Sequence, residues 1–117
     1  MTNFLQRAWL PQFALAAVAI LVYAASVSNG FVFFDDDKAI LYNKALLNPS
    51  IGKFFTGQNL GMYAPFSWIA YWVGHGISGK EAWGYHLLGL LLHALNAALV
   101  FSFLKQLTGR DWAAFFA

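Results

Sequence analysis

Two long apolar runs constrain this chain more than any other feature. Residues 10–28, LPQFALAAVAILVYAASVS, carry no charge, and residues 86–107, HLLGLLLHALNAALVFSFLKQL, stay uncharged until Lys105. At 1.5 Å per helical residue the first run covers about 28 Å, which matches the hydrocarbon thickness of a bilayer. Pro11 sits near its start, where a helix tolerates proline. The chain has 117 residues, 60% hydrophobic and only 10% charged. A soluble domain of that size buries roughly 60–65% of the surface its unfolded chain exposes, too little to hide so much apolar area. Lipid is the solvent that accommodates the remainder.

The expected fold class is therefore an all-α membrane protein. Two transmembrane helices, residues 10–28 and 86–107, are joined by a long non-cytoplasmic loop, residues 29–85, holding short interfacial helices. Residues 111–117, DWAAFFA, read as the start of a third hydrophobic helix. A chain that stops within such a run is expected to be the amino-terminal piece of a larger multi-span protein. The rival for the first run is a cleaved leader, with Arg7 as its basic end and Ala24, Ala25, Ser26 and Ser28 as small cleavage-site residues. The run exceeds the roughly 7–15 residues of a leader's apolar stretch, which favours a retained anchor. Arg7 flanks the first run, and Lys105 and Arg110 flank the end of the second. Basic flanks stay in the cytoplasm, so the loop falls on the other side. Lys38, Lys44, Lys53 and Lys80 in the loop oppose that bias, but charges in a long loop count for less. The seven Lys and Arg residues are dispersed, unlike a nucleic-acid footprint, and the absence of cysteine removes disulfides and thiolate metal sites.

Within the loop, FVFFDDDKAILYN at residues 31–43 places Asp35, Asp36 and Asp37 side by side, three of only five acidic residues in the chain. Carboxylates near a bilayer surface suit a lipid-linked, phosphate-bearing substrate, where one of them takes a proton from an attacking hydroxyl. The plainer reading is a helix amino terminus, where acids favour the dipole. That explains one aspartate more readily than three. Asp35 and Asp37 also form a D-x-D spacing, an oxygen donor pair for a divalent cation. Asn48-Pro49-Ser50 is a turn signal before the apolar stretch at residues 51–55, and its proline disqualifies it as a glycosylation acceptor. An aromatic helix opens at Pro65 and is expected to end by Gly74, about 15 Å long, too short to span. With Tyr63, Trp68, Tyr71, Trp72, Trp83 and Tyr85 nearby, it reads as a helix lying along the membrane surface, a re-entrant helix being the alternative. In the second run His86, Gly89, His93 and Asn96 share an arc of about 80°. Polar groups in a span face a cavity or a neighbouring helix, and for His93 and Asn96 bonding to a neighbour is the plainer reading. Glu81 beside Lys80 reads as a solvated pair and Asp111 as a helix start.

The order of these features resembles the amino-terminal part of the GT-C superfamily of multi-span glycosyltransferases. The likeness is to the protein O-mannosyltransferase-related branch in which tetratricopeptide repeats follow the membrane half. It rests on F-x-F-x-D-D at residues 31–36 with Asn43 downstream, on Tyr63-x-Pro65 before an aromatic helix, and above all on GYHLLGLLLHALNAALVF at residues 84–101. One position departs: after the tyrosine of the Y-x-P element the family often has a basic residue, and here it is Ala64. The resemblance implies transfer of a sugar from a polyprenyl-phosphate donor to a protein or glycan hydroxyl. Asp35 and Asp36 would be the catalytic or acceptor-positioning groups, with Asp37, Tyr63, His86, His93 and Asn96 in substrate binding. It implies no cofactor and no metal, partners that include membrane lipid, and a bacterial inner membrane in preference to the endoplasmic reticulum. The other function class is a non-catalytic small membrane or assembly protein.

Overall fold

The computed structural model describes residues 9–116; Arg7 and Ala117, named above, lie outside the described residues. In chain order the helices are α1 (Leu10–Tyr23), α2 (Lys44–Leu47), α3 (Ile51–Thr56), α4 (Pro65–Ser78), α5 (Ala82–Thr108) and α6 (Asp111–Phe115). A tight 3-10 segment, Ala24–Ser28, continues α1, and a single π turn covers Asp37–Leu41. Among the described residues there is no strand, only one isolated antiparallel bridge between Asn59 and Met62. The chain divides into two compact units, residues 26–88 and the segments on either side of them.

In the flanking unit, α1 with its 3-10 extension (Leu10–Ser28, 19 residues) and α5 (27 residues) are long and apolar enough to cross a bilayer. Only 6% and 17% of their most apolar windows are buried. A core helix of a soluble protein would be mostly covered, so these two helices are candidate membrane spans, in keeping with the composition. Ala19 on α1 and Ala94 and Phe101 on α5 are buried. The Gln12 amide reaches the Ser102 hydroxyl at 3.5 Å, and the Tyr23 ring stands edge-on to His93 at 5.2 Å. After α5, Gly109 turns the chain at φ 65°. The Lys105 ammonium lies 3.0 Å from the Asp111 carboxylate in the first turn of α6.

Residues 26–88 form the second unit, and they are more helical than a connector. α2 and α3 pack on α4 around a core of Ala39, Ile40, Phe54 and Trp68, with Phe31, Trp72 and Tyr85 against its edge. Pro65 opens α4 at its first position, where its missing N–H costs no hydrogen bond. The helix does not end at Gly74, as proposed from sequence, but continues to Ser78. At 14 residues it is about 21 Å long, still short of a bilayer core. Gly74 stays inside the helix because the ring of Tyr85 occupies its side-chain space: a Cβ there would lie 2.7 Å from Cδ1. Gly84 makes the reciprocal approach, since a Cβ on it would collide with Ser78. Gly79, at φ 61°, terminates α4 and lets α5 begin at Ala82, one turn before the expected His86. The break at Asn48-Pro49-Ser50 lies where the sequence signal put it, and the apolar stretch after it is helical, as α3.

Candidate functional site

The acidic segment begins at Phe31, whose ring contacts Tyr85 edge-on at 5.4 Å and lies 6.5 Å from His86. This anchors the entry of the loop to the first turn of α5. Val32, Phe33 and Phe34 then project outward, Phe33 89% exposed. Three uncovered apolar side chains directly before three acids give the segment an amphipathic tip.

The three carboxylates have different surroundings. Asp36 is half-buried, and its Oδ2 accepts the Val32 N–H at 2.8 Å, closing the turn. Asp37, also half-buried, starts the π turn and accepts the Lys38 N–H at 2.8 Å. Asp35 is exposed, and its carboxylate has no hydrogen bond or ion pair among the described residues; only its backbone carbonyl is engaged, by Ala39 N–H at 2.8 Å. The helix-start explanation thus accounts for Asp37, a turn-closing bond accounts for one oxygen of Asp36, and Asp35 is left chemically free.

The segment is held from behind by Asn43. It is 9% exposed, donates from Nδ2 to the Ala39 carbonyl at 3.0 Å, and accepts the Ala45 N–H on Oδ1 at 3.0 Å as the cap of α2. Its place downstream of the aspartates in the resemblance has a structural basis, because it fixes the backbone that carries them.

Of the other expected site residues, Tyr63 is exposed immediately before α4. His86 is half-buried beside Phe31, and its Nε2 is shut from solvent without a partner among the described residues. His93 belongs to the flanking unit, where Tyr23 meets it edge-on, a neighbouring-helix contact of the plainer kind. Asn96 is exposed on α5 in that same unit.

Sequence reasoning missed a group at the α4–α5 corner. The Tyr85 hydroxyl donates to the Gly79 carbonyl at 2.7 Å, and His75 Nδ1 lies 3.2 Å from the Tyr85 hydroxyl oxygen. A phenol has one proton, so the His75 Nδ1–H donates and the pair forms a relay ending on the backbone. Ser78 adds a bond to the Glu81 carbonyl at 2.7 Å. The legible signal was the spacing of Gly74, Gly79 and Gly84 around His75, Ser78 and Tyr85.

No protein-family model matches the chain, and no solved structure matches it. Curated relatives do. Protein O-mannosyl-transferase TMTC2 of Homo sapiens is 31% identical over 113 residues, covering 87% of this chain and 13% of its own length. The Mus musculus protein of the same name is 30% identical over 113 residues, again 87% of this chain and 13% of the relative. Protein O-mannosyl-transferase Tmtc2 of Drosophila melanogaster is 30% identical over 109 residues, 83% of this chain and 12% of the relative. The chain spans about an eighth of the length of these relatives, all of them animal proteins. Over most of its length, then, this chain is a homologue of the protein O-mannosyl-transferases named TMTC2.

Proposed function

We propose that this chain carries the first-loop carboxylates of a membrane glycosyltransferase of the GT-C type. The enzyme moves a sugar from a polyprenyl-phosphate donor to a hydroxyl of a protein or glycan. The reading rests on the homology to protein O-mannosyl-transferases together with one local observation, the free and exposed carboxylate of Asp35.

Asp35 accepts the proton of the acceptor hydroxyl as that oxygen attacks the anomeric carbon. The bond from the sugar to the lipid phosphate breaks, and the phosphate leaves as an anion without needing a proton. Asp36, with one oxygen tied to Val32 N–H, orients the acceptor through the other. Asp37, Tyr63, His86, His93 and Asn96 are assigned to substrate binding. Asp35 follows the first span by about seven residues, a reach of no more than about 25 Å, so chain connectivity keeps it near one bilayer face. That face is the non-cytoplasmic one, in a bacterial inner membrane or an endoplasmic reticulum alike. The wider architecture of the notional whole, with residues 1–117 as the start of a multi-span domain and tetratricopeptide repeats further on, belongs to the same reading.

The local bonds of Asp36 and Asp37 also suit a purely structural turn, which is what a non-catalytic assembly component would retain. Sugar transfer from polyprenyl-phosphate mannose, measured on the intact natural protein, separates the two. Asp35→Asn is expected to lower kcat by about 10²–10⁴-fold with little change in KM, the range for loss of a general base. Absence of transfer by the parent leaves the assembly role, and undiminished turnover in both Asp35→Asn and Asp36→Asn removes the two carboxylates from catalysis.

A further inference from the structure

Beside the core of residues 26–88 there is a depression of about 330 Å³ that plays no part in the chemistry above. Its polar lining comes from Asn48, Ser50, Lys53, Thr56, Gln58 and Asn59, over a floor that includes the buried Phe54. We propose that this depression binds a neutral pyranose ring, a single hexose unit held by its hydroxyls.

The lining chemistry selects that class. The Asn48 and Gln58 side-chain amides each carry a donor beside an acceptor, the pattern that pairs with vicinal hydroxyls. Two hydroxyls add further bonding capacity: the Thr56 hydroxyl gives its proton to the Gly52 carbonyl at 2.9 Å, so it faces a ligand as an acceptor. No carboxylate lines the depression, which removes the ligands that a divalent cation needs. Lys53 is the only cation in the lining, and it is exposed, a weak basis for holding a phosphate. The volume lies near the lower end for small-molecule sites, about 300 Å³, which suits one ring and not an extended chain.

The walls are fixed before any ligand arrives. Asn59 and Met62 exchange backbone hydrogen bonds of 3.1 and 3.0 Å, closing a two-residue turn with Leu60 at φ 53° and Gly61 at φ 76°. Leucine in the left-handed region is strained, and the surrounding bonds hold it there. The strained turn carries Asn59 at the edge of the depression; its Nδ2 is shut from solvent, without a hydrogen-bond partner among the described residues. Gly57 N–H caps α3 on the Lys53 carbonyl at 3.0 Å and fixes the adjoining edge.

The proposal goes beyond the transferase reading and draws on it only for the choice of probe, methyl α-D-mannopyranoside. Saturation-transfer NMR on the whole chain in lipid nanodiscs is the test, run with and without inorganic phosphate. Ring protons of the glycoside should receive saturation, phosphate should not displace it, and Gln58→Ala should weaken binding about fivefold or more. Gln58 is exposed, so this change leaves the core intact, and Asn48→Ala, also at an exposed position, supplies a second lining variant with the same expectation. Asp35→Asn should bind the glycoside as the parent does. The proposal is overturned by absence of saturation in the parent, by full binding in both lining variants, or by displacement with phosphate. Loss of binding in Asp35→Asn would also overturn it, by putting the sugar at the acidic segment. Intact transfer activity alongside any of these results would leave the transferase reading standing.

Discussion

Asn43 and Asp35 divide the acidic segment between structure and chemistry. Both ends of the Asn43 amide are bonded to backbone, so an alanine there removes a helix cap and the partner of the Ala39 carbonyl. The cap contributes about 1 kcal/mol and the second bond a similar amount, so Asn43→Ala should cost about 1–2 kcal/mol in denaturant unfolding. Asp35→Asn, at an exposed carboxylate without a partner among the described residues, should leave that transition within about 0.5 kcal/mol of the parent. The aspartate triplet could be found from the sequence because three acids among five stand out in an apolar chain. Which of them remains free could not, since Val32 N–H returning to Asp36 depends on a turn that residue types alone do not specify.

At the level of elements, α4 contains two glycines with opposite meanings. Gly74 is pressed against the Tyr85 ring, whereas a Cβ on Gly76 would meet nothing within 4 Å. Alanine is the better helix former by about 1 kcal/mol at either position. Gly76→Ala should therefore stabilise the protein by about 0.5–1 kcal/mol. Gly74→Ala should destabilise it by about 1–2 kcal/mol, because overpacking against a ring outweighs the propensity gain. Thermal melts of the two variants beside the parent give the comparison, and equal shifts would show that the α4–α5 corner is looser than its geometry implies. The sequence marked the start of α4 through Pro65, which acts locally. It misled about the end, because a glycine that breaks an isolated helix is tolerated where a neighbouring ring needs the room. The three-residue connection through Gly79 moved the start of α5 from His86 to Ala82 for the same reason: the corner is set by side chains on both helices.

For the molecule as a whole, the absence of native cysteine makes topology directly measurable. A single Phe33→Cys substitution, at an 89% exposed position, should react with a membrane-impermeant maleimide applied from the non-cytoplasmic side. Reaction only from the cytoplasmic side would reverse the orientation argued from Lys105 and Arg110. The two spans were legible in one dimension, because bilayer thickness converts directly into a number of consecutive apolar residues. The same reading gave the helical class and the position of the acidic segment, which depend on order along the chain. Tertiary structure alone decided the contacts of Tyr85 with Phe31, His75 and Gly74, the depression beside Asn59, and the one aspartate left without a local task. The physical reason is the range of the interactions: hydropathy acts on each residue separately, whereas packing and hydrogen bonding act between residues that only the folded chain brings within a few ångströms.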